Sequence, residues 1–231
     1  MIDLPVGLPS ELVPLSWLIG VWEGSGVLEY KIGEESVSRT FGHRISFSHD
    51  GLPHLNYSSY TWLEPAVASA ETDAAASAGS HAPAETDAVA ALPPEMMSDE
   101  KTPLVTETGY WRLSRHQGDG DPGPGLLPGT GERPFTSAAA VETLRNRDGG
   151  FDIEVTLVHP GGVAELYLGQ VKGPRIDLAT DAVLRTAGAK PYAAATRLYG
   201  LVDNHLLWAW DIAALGQDLR THASGRLARV Q

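Results

Sequence analysis

The sequence predicts an all-β protein: an antiparallel up-and-down β-barrel of about ten short strands, in a single domain over residues 1–231. Segments that alternate polar and apolar residues recur at hairpin spacing, and no helical pattern separates them, which argues against βαβ units. A Gly-x-Trp-x-Gly-x-Gly motif at Gly20, Trp22, Gly24 and Gly26 opens the first strand. Because glycine allows close backbone approach and a tryptophan can close one end of a cavity, the motif favours a barrel over a sandwich.

Each element is predicted from the local pattern. A Pro-rich start with a short helix at Glu11–Trp17 comes before the first strand, which begins at Val21. The segment Phe151–Val158 alternates most clearly, and because Asp and Glu share one of its faces, we expect acidic side chains on a solvated surface. The further predicted strands are Arg44–His49, His54–Trp62, Thr106–Leu113, Ala139–Leu144, Val163–Val171, Arg175–Thr180, Ala193–Val202, His205–Ala213 and Leu219–Arg229.

Two low-complexity segments interrupt the strands. Residues 64–101 contain twelve alanines, four prolines, eight acidic residues and one lysine, with no period that could bury an apolar face. We therefore expect a disordered acidic insertion there. Residues 116–134 carry six glycines and four prolines, which predicts a flexible loop.

Composition argues against several classes of function. A net charge of −12 and a pI near 5.0 disfavour nucleic acid or an anionic membrane surface as the main partner. The absence of cysteine removes disulfides, thiolate zinc sites, iron–sulfur clusters and cysteine nucleophiles. A metal would have to use the eight histidines, carboxylates or a cofactor. No apolar run reaches transmembrane length and no export signal is recognised, so we expect a cytoplasmic protein.

Four segments, each common by itself, occur in an order that resembles the nitrobindins. These are small haem-carrying β-barrels similar in shape to fatty-acid-binding proteins. The resemblance covers the chain outside the two low-complexity segments. The segments are Gly20-Val21-Trp22-Glu23-Gly24-Ser25-Gly26, Thr108-Gly109-Tyr110, His159-Pro160-Gly161-Gly162 and Gly216-Gln217-Asp218-Leu219-Arg220-Thr221-His222.

The resemblance implies a ferric haem b in the barrel mouth, which isomerises peroxynitrite to nitrate and binds nitric oxide. His222 matches the proximal iron ligand of the family and is thereby the implied catalytic, haem-binding and metal-binding residue. Lys190 falls where bacterial members carry a lysine near the haem, so it either pairs with a propionate or is an ordinary exposed loop lysine. The family also implies a homodimer. The acidic insertion and the loose Ala223-Ser224-Gly225 segment after His222 depart from the family pattern.

The histidines can also be weighed on their own chemistry. A single neutral imidazole on a rigid strand is an ordinary haem ligand and leaves an iron position open for a small molecule. Four other histidines lie in strand-like segments without metal-ligand spacing, and we interpret them as core or surface residues. His159 either shapes a Pro-Gly-Gly hairpin or faces the pocket from its loop. The four are His43, His49, His54 and His205.

A second class of function stays open at this point. The same cavity could carry a fatty acid or another apolar ligand without catalysis, or hold a haem that only senses nitric oxide. A ferric haem spectrum would exclude the lipid carrier, and the decay of added peroxynitrite would separate an isomerase from a sensor. Phosphate-loop and serine-hydrolase motifs are both missing from the sequence.

Overall fold

The computed structural model describes residues 7–32, 35–64, 101–213 and 220–231. Ten antiparallel strands in these residues form a closed barrel, in which each strand pairs with its neighbours along the chain and β1 pairs with β10. This confirms the predicted fold class. The strands are β1 Gly20–Ile32, β2 Glu35–Ser48, β3 Leu55–Leu63, β4 Thr102–Leu113, β5 Phe151–His159, β6 Val163–Lys172, β7 Arg175–Arg185, β8 Ala194–Val202, β9 His205–Ala213 and β10 Arg220–Arg229.

Up-and-down topology gives the barrel two distinct ends. At one end, here called the mouth, β1, β3, β5, β7 and β9 end and the even-numbered strands begin. At the other end, the base, the even-numbered strands end and the odd-numbered strands begin. Whatever lies near the end of an odd strand or the start of an even one therefore meets at the mouth.

The base is closed by a 3-10 helix at Ser10–Leu18, which agrees with the short helix predicted at Glu11–Trp17. The helix buries Leu12, Leu15 and Leu18 completely. Trp22 of β1 is 1 % exposed and donates from Nε1 to the Leu18 carbonyl oxygen at 2.7 Å. The tryptophan of the glycine motif therefore packs where the helix meets the barrel, as expected for a residue that closes one end.

The glycines of the motif lie along the seam where β1 meets β10. A Cβ added at Gly24 would lie 2.3 Å from the carbonyl oxygen of Arg226, and one at Gly26 would lie 2.3 Å from that of Ser224. Both added atoms would clash with backbone, so only glycine fits without a shift. The close approach predicted from the motif is confirmed, and it serves to close the barrel.

One predicted strand is wrong. Residues Ala138–Glu142, which overlap the segment predicted as the strand Ala139–Leu144, form the short helix α1. Three consecutive alanines favour a helix, and Ser137 caps it, its side-chain oxygen accepting a hydrogen bond from the Ala140 amide at 3.2 Å. Val141 is buried, so its apolar side chain packs from a helix rather than from a strand.

Only the second of the two predicted loops lies wholly within the described residues. Residues 65–100, nearly all of the predicted acidic insertion, lie outside the described residues. Residues 116–134 contain neither helix nor strand, as predicted, and their flexibility stays a prediction. Next to this loop the buried Arg115 pairs with Asp121 at 2.7 Å and also with Glu11, which ties the loop to the helix at the base.

Candidate functional site

A cavity of about 170 Å³ lies inside the barrel on the side of the mouth. Leu28, Leu104 and Val105 form an aliphatic part of its wall, and Trp208 and Trp210 form an aromatic part. Leu104 and Val105 are 41 % and 48 % exposed, so the cavity reaches the surface at this end. The chain thus offers an apolar recess that opens at the mouth and is closed at the base.

His222 lines this cavity from β10 at a β-bulge. Thr221 pairs with Asp211 of β9, but the next pair is Ala223 with Trp210, so His222 is the extra residue of the bulge. Neighbouring residues of a regular strand point to opposite faces, whereas a bulge can re-aim a side chain. Here the bulge lets both the buried Ala223 and the half-buried His222 reach the interior.

Aromatic rings surround the imidazole of His222. The Trp210 ring meets it edge to face, with centroids 5.7 Å apart and planes at 87°. The Tyr30 ring lies on β1 with its centroid 6.5 Å from that of His222. These contacts restrict the orientation of the imidazole at the edge of an apolar cavity.

Lys190 is exposed in the loop that joins β7 to β8. This loop is at the mouth, the same end of the barrel as His222. The main-chain oxygen of Lys190 accepts a hydrogen bond from Arg185 at 3.3 Å. The two residues that the resemblance singles out are therefore placed at one end, but Lys190 is not part of the described cavity wall.

A buried ion pair forms the polar part of the cavity wall. Arg197 of β8 donates to both carboxylate oxygens of Glu107 of β4, at 2.6 and 2.9 Å, and the Tyr57 hydroxyl donates to the same carboxylate at 2.6 Å. Burial by itself would raise the pKa of Glu107, but the charge and hydrogen bonds of Arg197 outweigh it and hold that pKa at about 2. The carboxylate stays ionised and its partner guanidinium is fully engaged.

A second carboxylate extends the network toward the mouth. Glu165 of β6 accepts from the Tyr167 and Tyr192 hydroxyls and lies 2.6 Å from His159 Nε2. Burial opposes the negative charge of Glu165, yet the hydrogen bond from His159 and the nearby Arg197 lower its pKa below the usual value. His159 therefore ends β5 and also turns its ring toward the interior network.

Glu107 and Glu165 lie outside the segment Phe151–Val158, whose acidic face is expected to be solvated, and both are buried. Both lie on the inner face of their strands, where Arg197 and His159 offset the cost of burial. A signal exists in the sequence, because Glu107 shares its alternation phase with Gly109 and Trp111 on β4. A charge on an otherwise apolar face predicts an internal ion pair.

His43 of β2 is the other histidine of the cavity. It is only 4 % exposed, its Nε2 lies 2.8 Å from the Ser59 hydroxyl, and the Trp208 ring meets it edge to face at 4.9 Å. Burial lowers its pKa from 6.5 to about 4, so the ring is neutral at physiological pH. The interpretation as a core residue is confirmed, but the residue also faces the cavity.

The remaining three histidines of strand-like segments lie toward the base. His49 accepts from the Gly51 amide in the turn between β2 and β3, and His54 packs edge to face on Tyr110 at 5.1 Å. His205 starts β9 and is hydrogen-bonded to the carbonyl oxygen of Asp203 at 2.7 Å. They serve turns and strand ends, at the opposite end of the barrel from His222.

Comparison with known proteins places this site in a family. Residues 11–229 match a family model described as a THAP4-like, heme-binding β-barrel domain. The chain belongs to this family. The match to the THAP4-like barrels spans all ten strands, the cavity and His222, and it confirms the resemblance drawn from the four short segments.

Two relatives match the chain over its full length. A protein named peroxynitrite isomerase from Clavibacter michiganensis subsp. michiganensis (strain NCPPB 382) is 64 % identical over 230 residues, covering 100 % of both chains. A protein of the same name from Leifsonia xyli subsp. xyli (strain CTCB07) is 58 % identical over 231 residues, again covering 100 % of both. The crystal structure of Rv2717c from M. tuberculosis has the same fold, with a TM-score of 0.57, 23 % identity and coverage of 99 % of this chain and 100 % of that one.

Proposed function

We propose that this protein binds ferric haem b at the mouth of its barrel, with His222 as the iron ligand, and isomerises peroxynitrite to nitrate. The structural observation that carries the proposal is the histidine at the β10 bulge, aimed into an apolar cavity at the open end of the barrel. The full-length relatives named peroxynitrite isomerase support the same activity.

The residues present fit a haem in their chemistry. His222 offers an imidazole nitrogen, the usual protein ligand of haem iron, and would hold the iron of a bound haem. Leu28, Leu104 and Trp210 offer the apolar surface that a porphyrin face requires. In the described residues no three His, Asp or Glu side chains converge to hold a metal ion, so a bound metal would have to bring ligands of its own, as the porphyrin nitrogens do.

The size of the cavity indicates which part holds a small molecule and which part contacts the haem. Sites that enclose an organic ligand usually measure about 300–1,000 Å³. The described cavity is about 170 Å³, a volume suited to a small molecule beside the haem. The partly exposed Leu104 and Val105 at the mouth supply the wider contact surface.

A bound haem would supply Lewis-acid chemistry toward peroxynitrite. His222 holds the iron, and the rings of Trp210 and Tyr30 fix the orientation of the imidazole. The walls of the cavity would exclude bulk water and keep a small reactant beside the haem. The Glu107–Arg197 pair keeps the wall rigid without adding net charge.

Lys190 is proposed to pair with a haem propionate from the loop between β7 and β8. The lysine is exposed, and an exposed ion pair contributes only about 0–1 kcal/mol, so Lys190 is an auxiliary contact.

The described residues include no helix long and apolar enough to cross a membrane. The cytoplasmic location and the homodimer implied by the resemblance stay predictions.

The test uses the purified protein loaded with ferric haem. We expect a Soret band of a histidine-ligated ferric haem and fast decay of peroxynitrite to nitrate in a stopped-flow assay. His222→Ala should remain folded by circular dichroism, because the side chain is only half buried, but should lose the Soret band and decay peroxynitrite at the uncatalysed rate. His205→Ala, a histidine at the base, is the matched control and should behave like the wild type.

Three outcomes separate the candidate functions. Retention of the full haem spectrum by His222→Ala would overturn the ligand assignment. A wild-type protein that takes up haem but leaves peroxynitrite at the uncatalysed rate is a nitric oxide sensor or carrier rather than an isomerase. A wild-type protein that takes up no haem at all supports the carrier of a fatty acid or another apolar ligand.

A further inference from the structure

We propose that His43 is a substrate-contacting residue, whose Nδ1 donates a hydrogen bond to an oxygen atom of the small oxyanion held in the cavity. The inference rests on the proposed function, which supplies that oxyanion. It adds a residue that neither the family description nor the resemblance assigns.

His43 and His222 line the same cavity, one from β2 and the other from β10. The His43 ring meets that of Trp208 at 4.9 Å, and the His222 ring meets that of Trp210 at 5.7 Å; the two tryptophans are two residues apart on β9 and both line the cavity. A small ligand in the cavity can therefore meet the imidazole of His43 while it occupies the site that His222 defines.

His43 carries an unsatisfied polar atom. Nδ1 of His43 is buried and has no hydrogen-bond partner in the described part of the chain. The indole nitrogen of Trp210, which also lines the cavity, is buried without a described partner as well. Buried polar groups of this kind are costly unless something pairs with them. An oxyanion offers the acceptors that both groups require.

The contact with Ser59 decides which ring nitrogen of His43 carries the proton. Nε2 of His43 lies 2.8 Å from the Ser59 hydroxyl, which can donate to it. In that arrangement the single ring proton is on Nδ1, the donor that an anionic ligand needs. The burial of the ring keeps it neutral, as shown by its lowered pKa.

A neutral donor suits turnover better than a cation. Arg197 is the cation of this cavity, but Glu107 already occupies its guanidinium through two hydrogen bonds. The oxyanion therefore meets a neutral N–H rather than a free positive charge. Such a contact orients an oxygen atom without holding the nitrate product as tightly as an ion pair would.

The test uses the haem-loaded protein and two simple ligands. Fluoride, added to the ferric form, accepts hydrogen bonds strongly, and carbon monoxide, added to the reduced form, has a stretching frequency that responds to nearby donors. His43→Phe keeps the ring packing against Phe41 and Trp208 but removes both nitrogens. Ser59→Ala keeps the ring and removes the contact that selects its tautomer. His54→Phe is the matched control, because His54 also packs edge to face on an aromatic ring but lies outside the cavity wall.

We expect His43→Phe to raise the dissociation constant of fluoride about tenfold, which corresponds to about 1.4 kcal/mol, and to shift the carbon monoxide stretch. Ser59→Ala should weaken fluoride binding by a smaller factor, and His43→Gln, which restores an N–H, should recover part of the loss. His54→Phe should match the wild type. If His43→Phe fails to fold, Ser59→Ala and His43→Gln carry the test.

Two negative results are distinguishable. Folded variants of His43 and Ser59 that bind fluoride and carbon monoxide as the wild type does would overturn the role of His43 and leave the proposed function standing. A wild-type protein without haem would overturn both, because no ligand would then be held beside His43.

Discussion

The two histidines of the cavity show how position decides the chemistry of one side chain. His222 is half buried at a bulge near the mouth, where a bulky cofactor can reach its nitrogen. His43 is buried between aromatic rings and hydrogen-bonded to Ser59, where only a small molecule can contact it. The half-buried imidazole near the mouth suits a metal, and the fully buried one suits a hydrogen bond to a ligand.

The enclosure of His43 should make the stability of the fold depend on pH. Burial lowers the pKa of His43 from 6.5 to about 4, so between these values the unfolded chain binds a proton that the folded chain does not. The free energy of unfolding must then fall as the pH falls through this window. From pH 7 to pH 5, we expect His43 to remove about 2 kcal/mol.

Urea unfolding of the haem-free protein at several pH values measures this effect. In His43→Phe the decrease between pH 7 and pH 5 should be smaller than in the wild type by about 2 kcal/mol. His116→Gln, which changes an exposed histidine, should leave the wild-type dependence unchanged. Parallel curves for the wild type and His43→Phe would mean that His43 is accessible to protons in the folded state.

The sequence located one of these histidines and missed the role of the other. The prediction of His222 depended on its match to a family motif, because neither its bulge nor its ring contacts have a sequence signal. His43 was within reach of periodicity alone: extending the alternation of Ile45 and Phe47 back by two residues puts His43 on the inner face. Alternation assigns a residue to the inner or outer face but does not show how far along the barrel axis it lies. That position separates a core histidine from one that lines a cavity.

At the scale of elements, β10 joins the glycine motif to the site. Gly24 and Gly26 allow β1 to approach β10 closely, and the bulge at His222 lies nearer the start of β10, where this strand pairs with β9. A bulge bends its strand and increases its twist. β10 therefore closes the barrel through its pairing with β1 and turns the proposed iron ligand inward at the bulge in its pairing with β9.

The strands were predicted well because each strand buries one face, so that polar and apolar residues alternate along it. The segment at Ala139–Leu144 failed because a short apolar run without alternation fits a helix as well as a strand. Its alanines and the serine cap at Ser137 were the helix signals, and they act locally. The interior ion pair of Glu107 with Arg197 was also missed, since it joins β4 to β8 and no local pattern records which strands face each other across a barrel.

The base should depend on Trp22 for its stability. Its ring is buried under the 3-10 helix, its indole nitrogen binds the Leu18 carbonyl oxygen, and the Arg229 guanidinium lies 4.5 Å above the ring. Trp22→Ala should therefore lower the free energy of unfolding by about 3–5 kcal/mol, measured by urea denaturation.

A substitution on the outside of the barrel provides the comparison. Leu184 of β7 is 73 % exposed, so Leu184→Ala should change the free energy of unfolding by no more than about 0.5 kcal/mol. A loss below about 1 kcal/mol for Trp22→Ala would show that the base closes without this ring.

At the scale of the whole molecule, the barrel separates stability from function by its two ends. The helix, Trp22 and the Arg115 ion pairs gather at the base, whereas the cavity, His222 and the loop of Lys190 gather at the mouth. The up-and-down topology produces this division, because alternate connections meet at opposite ends. Changes in the mouth connections should therefore leave the fold largely intact.

The connection between β3 and β4 offers the strictest test of this division. Its two ends are held together by described contacts: Leu63 pairs with Thr102, Trp62 Nε1 donates to Glu64 at 2.8 Å, and the Lys101 ammonium lies 3.9 Å from the centre of the Trp62 ring. Residues 65–100 lie between these ends and outside the described residues. The strands thus pair without any described contribution from the segment that joins them.

Deleting residues 66–100 should leave a folded, haem-binding barrel. The remaining Glu64, Pro65 and Lys101 form a three-residue hairpin connection, a common length between paired strands. Each halving of a flexible loop lowers its closure cost by about 0.6 kcal/mol, so the melting temperature should stay the same or rise by a few degrees. Calorimetry and the Soret band of the loaded variant measure both properties. A large fall in melting temperature would show that the segment packs on the barrel, and loss of the Soret band alone would assign it to the haem site.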